Sequence, residues 1–452
     1  MRIRFAWIVA ILTVVAIGFL LACSTKYTAS SNGLVIVPSQ NLFVMSSFSI
    51  NLSNGDVSQI YNDNGPITNG LPMSVVVDPA GEYAFVIVVQ NPAISVQIPS
   101  ITGGGVTGVE AYQIASDGKL ANITTVPFNP ESIYLPGSST PESVPVVPAN
   151  SLAIDSAGKF LFVADIATAD GFGNQIPGAV SVFSISSSGT PTEVAGSPFV
   201  LPVNGNASAT PGPCGSQGLC SSASALAVTP TVYPILYSYC SATTPPTTEN
   251  LYVTDAANYI VLNYSVDQSA GTLTLVPAPT GIGVPTGTTP SGVAVDPCNR
   301  FVYVSNQTPD NTVSAYTICN TINLPGNCPV ADFRLHPVTG KLFLTGDDPG
   351  PLSVDAYGKF LYVVDTGSNQ LSGFEINPSS GSLSAFTQPA ISTGPGPNSI
   401  AIRSDDSWLF VANDGGTANT LSQYAIVPAT GGLLPAAQPV STFNYPSGVA
   451  VK

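Results

Sequence analysis

The sequence predicts an all-β chain built from one repeated four-stranded unit. Three observations carry that reading. The chain of 452 residues holds 42 Gly and 41 Pro, spread along its length, which suits many short strands joined by turns. It is 44% hydrophobic and only 8% charged, too apolar for a disordered polymer. The phrase "GKFLFVAD" at Gly158–Asp165 returns as "GKFLYVVD" at Gly358–Asp365, so one structural phrase is written more than once.

In chain order, the first element is a processing segment. Arg2 and Arg4 precede an apolar run from Phe5 to Ala22, as in an export signal. The run ends Leu20-Leu21-Ala22-Cys23, which resembles the bacterial lipobox; that resemblance implies diacylation of Cys23 as the lipid attachment point and mature N-terminus. An uncleaved membrane anchor and plain secretion are the alternatives. Acyl chains would hold the protein on a bilayer. The expected location is therefore the cell envelope outside the cytoplasm, in the periplasm or on the outer membrane. Residues 24–33 read as a flexible tether and residues 34–452 as a single domain.

The repeats occupy that domain. "SVVVDPAGEYAFVIVV" (Ser74–Val89), "SLAIDSAGKFLFVAD" (Ser151–Asp165) and "SGVAVDPCNRFVYVSN" (Ser291–Asn306) share one logic with "PLSVDAYGKFLYVVD" (Pro351–Asp365) and "SIAIRSDDSWLFVAN" (Ser399–Asn413). A short apolar strand ends in a tight turn, and a strand of alternating aromatic and aliphatic residues comes next. Two more strands joined by a Gly-containing hairpin complete most units, as in "QLSGFEINPSSGSLSAF" (Gln370–Phe386). A sixth, looser unit begins at Ser224 and resumes at Asn250 after an insertion. The seventh is split. Asn41–Ile60 is expected to supply a second strand and the strands after it, and Pro446–Lys452 a lone first strand. Joining the two ends would close a seven-bladed β-propeller and remove its open edges.

These units resemble the YVTN-type repeats of the lactonase-like seven-bladed propellers, the superfamily that includes bacterial 6-phosphogluconolactonase. The likeness lies in the "V-D-x-x-G-K/R-F-L-Y/F-V-x-D/N" phrase and in the hairpins "SDGKL", "SAGTL", "SSGSL" and "TGGLL". It implies the fold across nearly all of the mature chain; activity must be argued from a site.

Six cysteines besides Cys23 remain: Cys214, Cys220, Cys240, Cys298, Cys319 and Cys328. An even number in an exported chain points to disulfides. Metal ligation is the rival reading, but there is no C-x-x-C and only one His. If Ser305 faces Thr312 in a hairpin, Cys298 falls opposite Cys319; Cys214 and Cys220 are close enough for a local loop.

Two sets of polar residues recur. Asp78, Asp155, Asp296 and Asp355 follow the first strands and read as Asx turns. Ser46, Val88, Asp165, Asp255, Asn306, Asp365 and Asn413 are aligned at the ends of second strands, which all run in one sense, so one face of the ring should carry them all. With Asp414 they would give that mouth a negative field. They could form a ring for a cationic or sugar-like ligand or, through oxygen ligands, for Ca2+. The competing reading is turn chemistry, since "DTGSN", "SNQTPDN" and "NDGGT" are good turn sequences. No other cofactor is assignable. His336, the only histidine, sits in an outer hairpin and reads as structural. Aromatic residues at Phe85, Phe162, Tyr252, Tyr303, Tyr362 and Phe410 read as packing between blades.

A net charge of −15 with only 11 Lys and Arg leaves no footprint for nucleic acid. Two functions fit. One is a monomeric, lipid-anchored scaffold that binds a small molecule, glycan or protein. The other is hydrolysis of a lactone, which needs an activated water and a donor to the developing oxyanion. A phosphorylated lactone fits poorly, because its phosphate calls for Arg or Lys.

Overall fold

The alternation of aromatic and aliphatic side chains along each second strand leaves both faces of that strand apolar, so both must be covered. Stacking sheets face to face around a ring does this. The computed structural model describes residues 33–60, 65–90, 106–129, 131–133, 142–144, 148–169, 175–202, 220–230, 248–279, 281–320, 328, 332–338, 343–415, 419–436, 439–442 and 445–452. They form seven antiparallel blades of four strands each, with no helix among them. Five blades add a short strand that pairs with the third. No helix of the described residues is long and apolar enough to cross a membrane.

The innermost strands are Leu71–Val77, Pro148–Ile154, Ala223–Val228, Pro290–Val295, Pro349–Val354, Pro397–Ile402 and Ala450–Val451, in blades one to seven. Seven buried clusters lie between neighbouring blades. Phe85, Phe162, Tyr252, Tyr303, Tyr362 and Phe410 each fall in a different one, and Ile36 takes the same place in the seventh. The recurrent aromatic is therefore the core residue of six of the seven blade interfaces.

Blade seven joins the two ends of the chain: Gly33–Ser39 lies between Ala450–Val451 and Val44–Ile50. This corrects the expectation that the second strand lies within Asn41–Ile60. "GLVIVPS" is preceded by none of the turn chemistry that marks the other second strands, and all seven of its residues are buried. Gly33, assigned from sequence to the tether, opens that strand. Residues 1–32, with the expected signal and Cys23, lie outside the described residues.

The predicted Cys298–Cys319 pairing does not occur: Cys319 is bonded to Cys328. Ser305 pairs with Val313, and it is Asn306 that faces Thr312. This one-residue slip from the assumed register turns every side chain to the other face. Cys298 also sits in a tight turn before the second strand, next to Asn299 at φ 54°. Cys220 and Cys298 are disulfide-bonded as well. Cys214 and Cys240 lie outside the described residues, and the expected Cys214–Cys220 loop with them.

Candidate functional site

Each innermost strand runs from one face of the ring, here called the mouth, to the opposite face, where in blades one, two, four, five and six it ends in a tight turn. Those turns are built as the sequence indicates. Asp155 Oδ1 accepts the Lys159 and Phe160 amides (2.6 and 2.9 Å), and Asp355 Oδ1 accepts those of Lys359 and Phe360 (2.6 and 2.8 Å). Asp78 and Asp296 cap their turns in the same way.

At the mouth, the aligned second-strand residues do share one level. Val88, Asp165, Asp255, Asn306, Asp365 and Asn413 face Pro72, Pro148, Ala223, Pro290, Pro349 and Pro397, the residues with which the innermost strands enter. In blade seven Ser39 faces Pro446 in that place. Ser46 belongs to the third strand, opposite Val37. The polar members of the ring are buried, and their side chains bond serines of the third strands or amides of the loops. Asp165 Oδ2 accepts from Ser181 Oγ (2.8 Å) and Asp365 Oδ2 from Ser372 Oγ (2.6 Å). Asp255 Oδ1 accepts the Ser222, Ala257 and Asn258 amides at 2.9, 3.1 and 3.3 Å. Asn306 Oδ1 takes the Gly287 amide (3.0 Å), and Asn413 Nδ2 donates to Ser422 Oγ (3.0 Å).

A loop motif unread in the sequence completes this layer. Thr-Gly-x-x-Pro occurs at 286–290, 345–349 and 393–397, leading into three successive inner strands. Its glycine lies against the buried polar residue. A Cβ on Gly287 would sit 2.7 Å from Asn306 Cγ, one on Gly346 2.8 Å from Asp365 Oδ2, and one on Gly394 2.9 Å from Asn413 Cγ. The carboxylates open to solvent at the mouth are different ones. Asp347 is exposed, and Asp310, Asp348 and Asp414 are half-buried. Asp310 Oδ2 accepts the Thr288 amide (2.6 Å), and Asp348 Oδ1 accepts from Thr308 Oγ1 (2.6 Å).

The inner strands enclose a channel of about 450 Å3. Its wall is aliphatic, with Ser74, Ser151, Ser224, Ser291, Ser399 and Ser447 around it and no charged side chain among the described lining residues. Several of these hydroxyls join blade to blade. Ser224 Oγ donates to the Pro290 carbonyl (2.7 Å), Ser291 Oγ to that of Pro349 (2.6 Å) and Ser447 Oγ to that of Pro72 (2.7 Å). Thr366 Oγ1 reaches the Pro397 carbonyl (2.9 Å), and Asn398 Nδ2 that of Pro446 (2.7 Å). Five consecutive joints thus run from blade three round to blade one. Serine stands at the head of nearly every quoted repeat, but its partner is a backbone group in another repeat, a carbonyl for Ser224 and Ser291 and an amide for Ser151 and Ser399, which no local pattern displays.

Charge is distributed unevenly. Lys119, Lys159, Arg300, Arg334, Lys359 and Arg403 flank turns between first and second or third and fourth strands, and Lys452, the last of the described Lys and Arg, follows the innermost strand of blade seven and bonds the Gly81 carbonyl in such a turn. They therefore lie at the face opposite the mouth. There Glu249 is buried at the start of a second strand, and desolvation, with help from Asp155, pushes its carboxyl from the ordinary 4.5 to about 8. A carboxyl raised in the native state keeps a proton that the unfolded chain releases, so its stabilising contribution is present below pH 4.5 and is lost as pH rises towards 8. The melting temperature is expected to fall by several degrees between about pH 5.5 and 8.5. Glu249→Gln, which cannot titrate, should flatten that slope in a thermal melt series; an unchanged slope would refute the assignment.

Fold and site together define a closed propeller with a neutral channel and an acidic mouth. The chain is a seven-bladed β-propeller, and its residues 246–452 match the family model described as "Lactonase, 7-bladed beta-propeller". Its fold is similar to that of the Pseudomonas aeruginosa periplasmic gluconolactonase (TM-score 0.62, 17% identity, covering 93% of this chain and 99% of that one). It is also similar to a Bacteroides fragilis protein provisionally named a 6-phosphogluconolactonase (TM-score 0.64, 15% identity, covering 94% and 99%). At these identities the likeness is one of fold. No curated protein matches the sequence.

Proposed function

We propose that the protein binds an uncharged, hydroxyl-rich small molecule of the sugar or sugar-lactone class in its central channel, entering from the acidic mouth. The observation that supports this is the channel wall. It has a ligand-sized volume and no charge among the described residues, and three of its serines, Ser224, Ser291 and Ser447, present oxygen lone pairs because their protons are committed to carbonyls. Such a wall accepts hydrogen bonds and favours a ligand rich in donors. The mouth offers Asp310, Asp347, Asp348 and Asp414 but none of the described cations, which disfavours a phosphorylated ligand. Export and acylation at Cys23 would place this channel in the cell envelope.

Calorimetric titration of the purified chain with a neutral aldonolactone and its 6-phosphorylated form tests the proposal. The neutral ligand should bind at least about tenfold more tightly. Ser74→Val, which removes a channel hydroxyl, should weaken it several-fold. Equal affinity for both ligands, or no binding of either, would overturn the reading.

A second reading, lactone hydrolysis, is favoured by one residue. Burial raises the Asp365 carboxyl to about 6, with Asp347 adding to the effect, in the range useful to a general base near neutral pH. Turnover of the neutral lactone, assayed with and without Ca2+ and abolished in Asp365→Asn, would select it; binding without turnover would leave the first.

A further inference from the structure

Outside the channel, the outer hairpin of blade four gathers a second group of chemistry-bearing side chains. Thr312–Ile318 is the third strand of this blade and Leu335–Pro337 the fourth. Thr317 faces His336, and the Cys319 and Phe333 backbones hydrogen-bond across the hairpin end, so Cys319, Asp332 and His336 meet on one side of it. A sulfur, a carboxylate oxygen and an imidazole nitrogen from these three all lie within 4.8 Å of one another. His336 Nε2 is 3.7 Å from Asp332 Oδ1. It is a buried atom without a hydrogen-bond partner, an arrangement that proteins generally avoid. Cys328, bonded to Cys319, brings a fourth donor to the same point.

We propose that Cys319, Cys328, Asp332 and His336 form a zinc site that is filled when the disulfide is reduced. Two thiolates, one imidazole and one carboxylate suit tetrahedral Zn2+, whose bonds of about 2.0–2.3 Å place ligand atoms roughly 3.3–3.8 Å apart. The nitrogen–oxygen separation already falls there. A disulfide sulfur is a poor ligand, so the two states exclude each other. A dithiol reductant gives two electrons and two protons to the sulfur–sulfur bond, is itself oxidised to a disulfide, and leaves two thiols. Zinc then displaces both thiol protons, and His336 binds through its unprotonated Nε2. Asp332 leaves a second oxygen near Arg334 Nε (3.9 Å), an outer contact able to orient it.

The test uses the purified chain, oxidised or reduced with a phosphine, titrated with Zn2+ and, for spectroscopy, with Co2+. The reduced chain should bind one ion with thiolate-to-cobalt charge transfer and the visible bands of a tetrahedral site. The oxidised chain should bind at least about 100-fold more weakly. His336→Ala retains every cysteine and should cost the reduced form about 10–100-fold in affinity. Asp332→Asn provides a second variant, and a melt of each oxidised variant checks its fold. Equal affinity of the reduced parent and His336→Ala assigns any bound metal to other thiols and overturns the proposal. So does the absence of binding, or binding that ignores the disulfide.

Discussion

Asp296→Ala is expected to destabilise the protein by about 3–5 kcal/mol, the range for breaking a buried ion pair from one side. The Asp296 carboxylate is fully buried, and Arg300 is nearly so. Arg300 Nη2 meets Asp296 Oδ2 at 2.5 Å, and its Nε lies 3.0 Å from Oδ1. The same carboxylate caps the turn through the Cys298 amide (2.9 Å). Arg300 also donates to the Gly358 carbonyl of the next blade (3.1 Å), so the stranded cation cannot swing into solvent without opening the interface between blades four and five. The double variant Asp296→Ala/Arg300→Met should recover a large part of the loss, since it removes the uncompensated charge. Chemical denaturation of the four members of this cycle measures both effects. A single variant within about 1 kcal/mol of the parent would contradict the burial argument.

Asp255→Ala is expected to cost about 2–4 kcal/mol, because it leaves buried donors without an acceptor at about 1–3 kcal/mol for each group that finds no substitute. Three backbone amides and Asn258 Nδ2 (2.7 Å) converge on its two oxygens. Asp255→Asn keeps one oxygen and should lose less than half as much. The comparison separates two roles for the recurrent acidic residue. If it organises loops, stability falls in the order parent, Asn, Ala. If it existed only to hold a ligand, all three proteins would melt together.

The ring is legible in sequence because its repeats are local. A turn, an Asp and an alternating strand lie within some fifteen residues, and the aromatic that marks the alternation is the residue that fills six of the seven blade interfaces. The hidden features depend on partners far away in the chain. Ser447 binds a carbonyl at Pro72, and Asp255 draws an amide from Ser222, across an insertion. The entry strand Gly33–Ser39 escapes notice because it has no preceding turn to announce it. For the candidate site, the face is legible and the burial is not. Asn306, Asp365 and Asn413 share a level as their spacing requires, yet each lies under the glycine of a Thr-Gly-x-x-Pro segment contributed from the preceding blade's edge.

The belt of Ser, Thr and Asn side chains around the channel also bears on how the molecule comes apart. An open array of repeats frays from its ends, one neighbour at a time. Here each joint has its donor in one blade and its acceptor in the next, and the apolar clusters close on themselves through blade seven. Loosening any single blade exposes two clusters, and loosening any of blades four to seven also breaks a joint on each flank. The smallest cooperative opening of the inner wall is therefore the whole circle, and amide protons of the seven inner strands should share one slow exchange class, with the outer hairpins exchanging ahead of them.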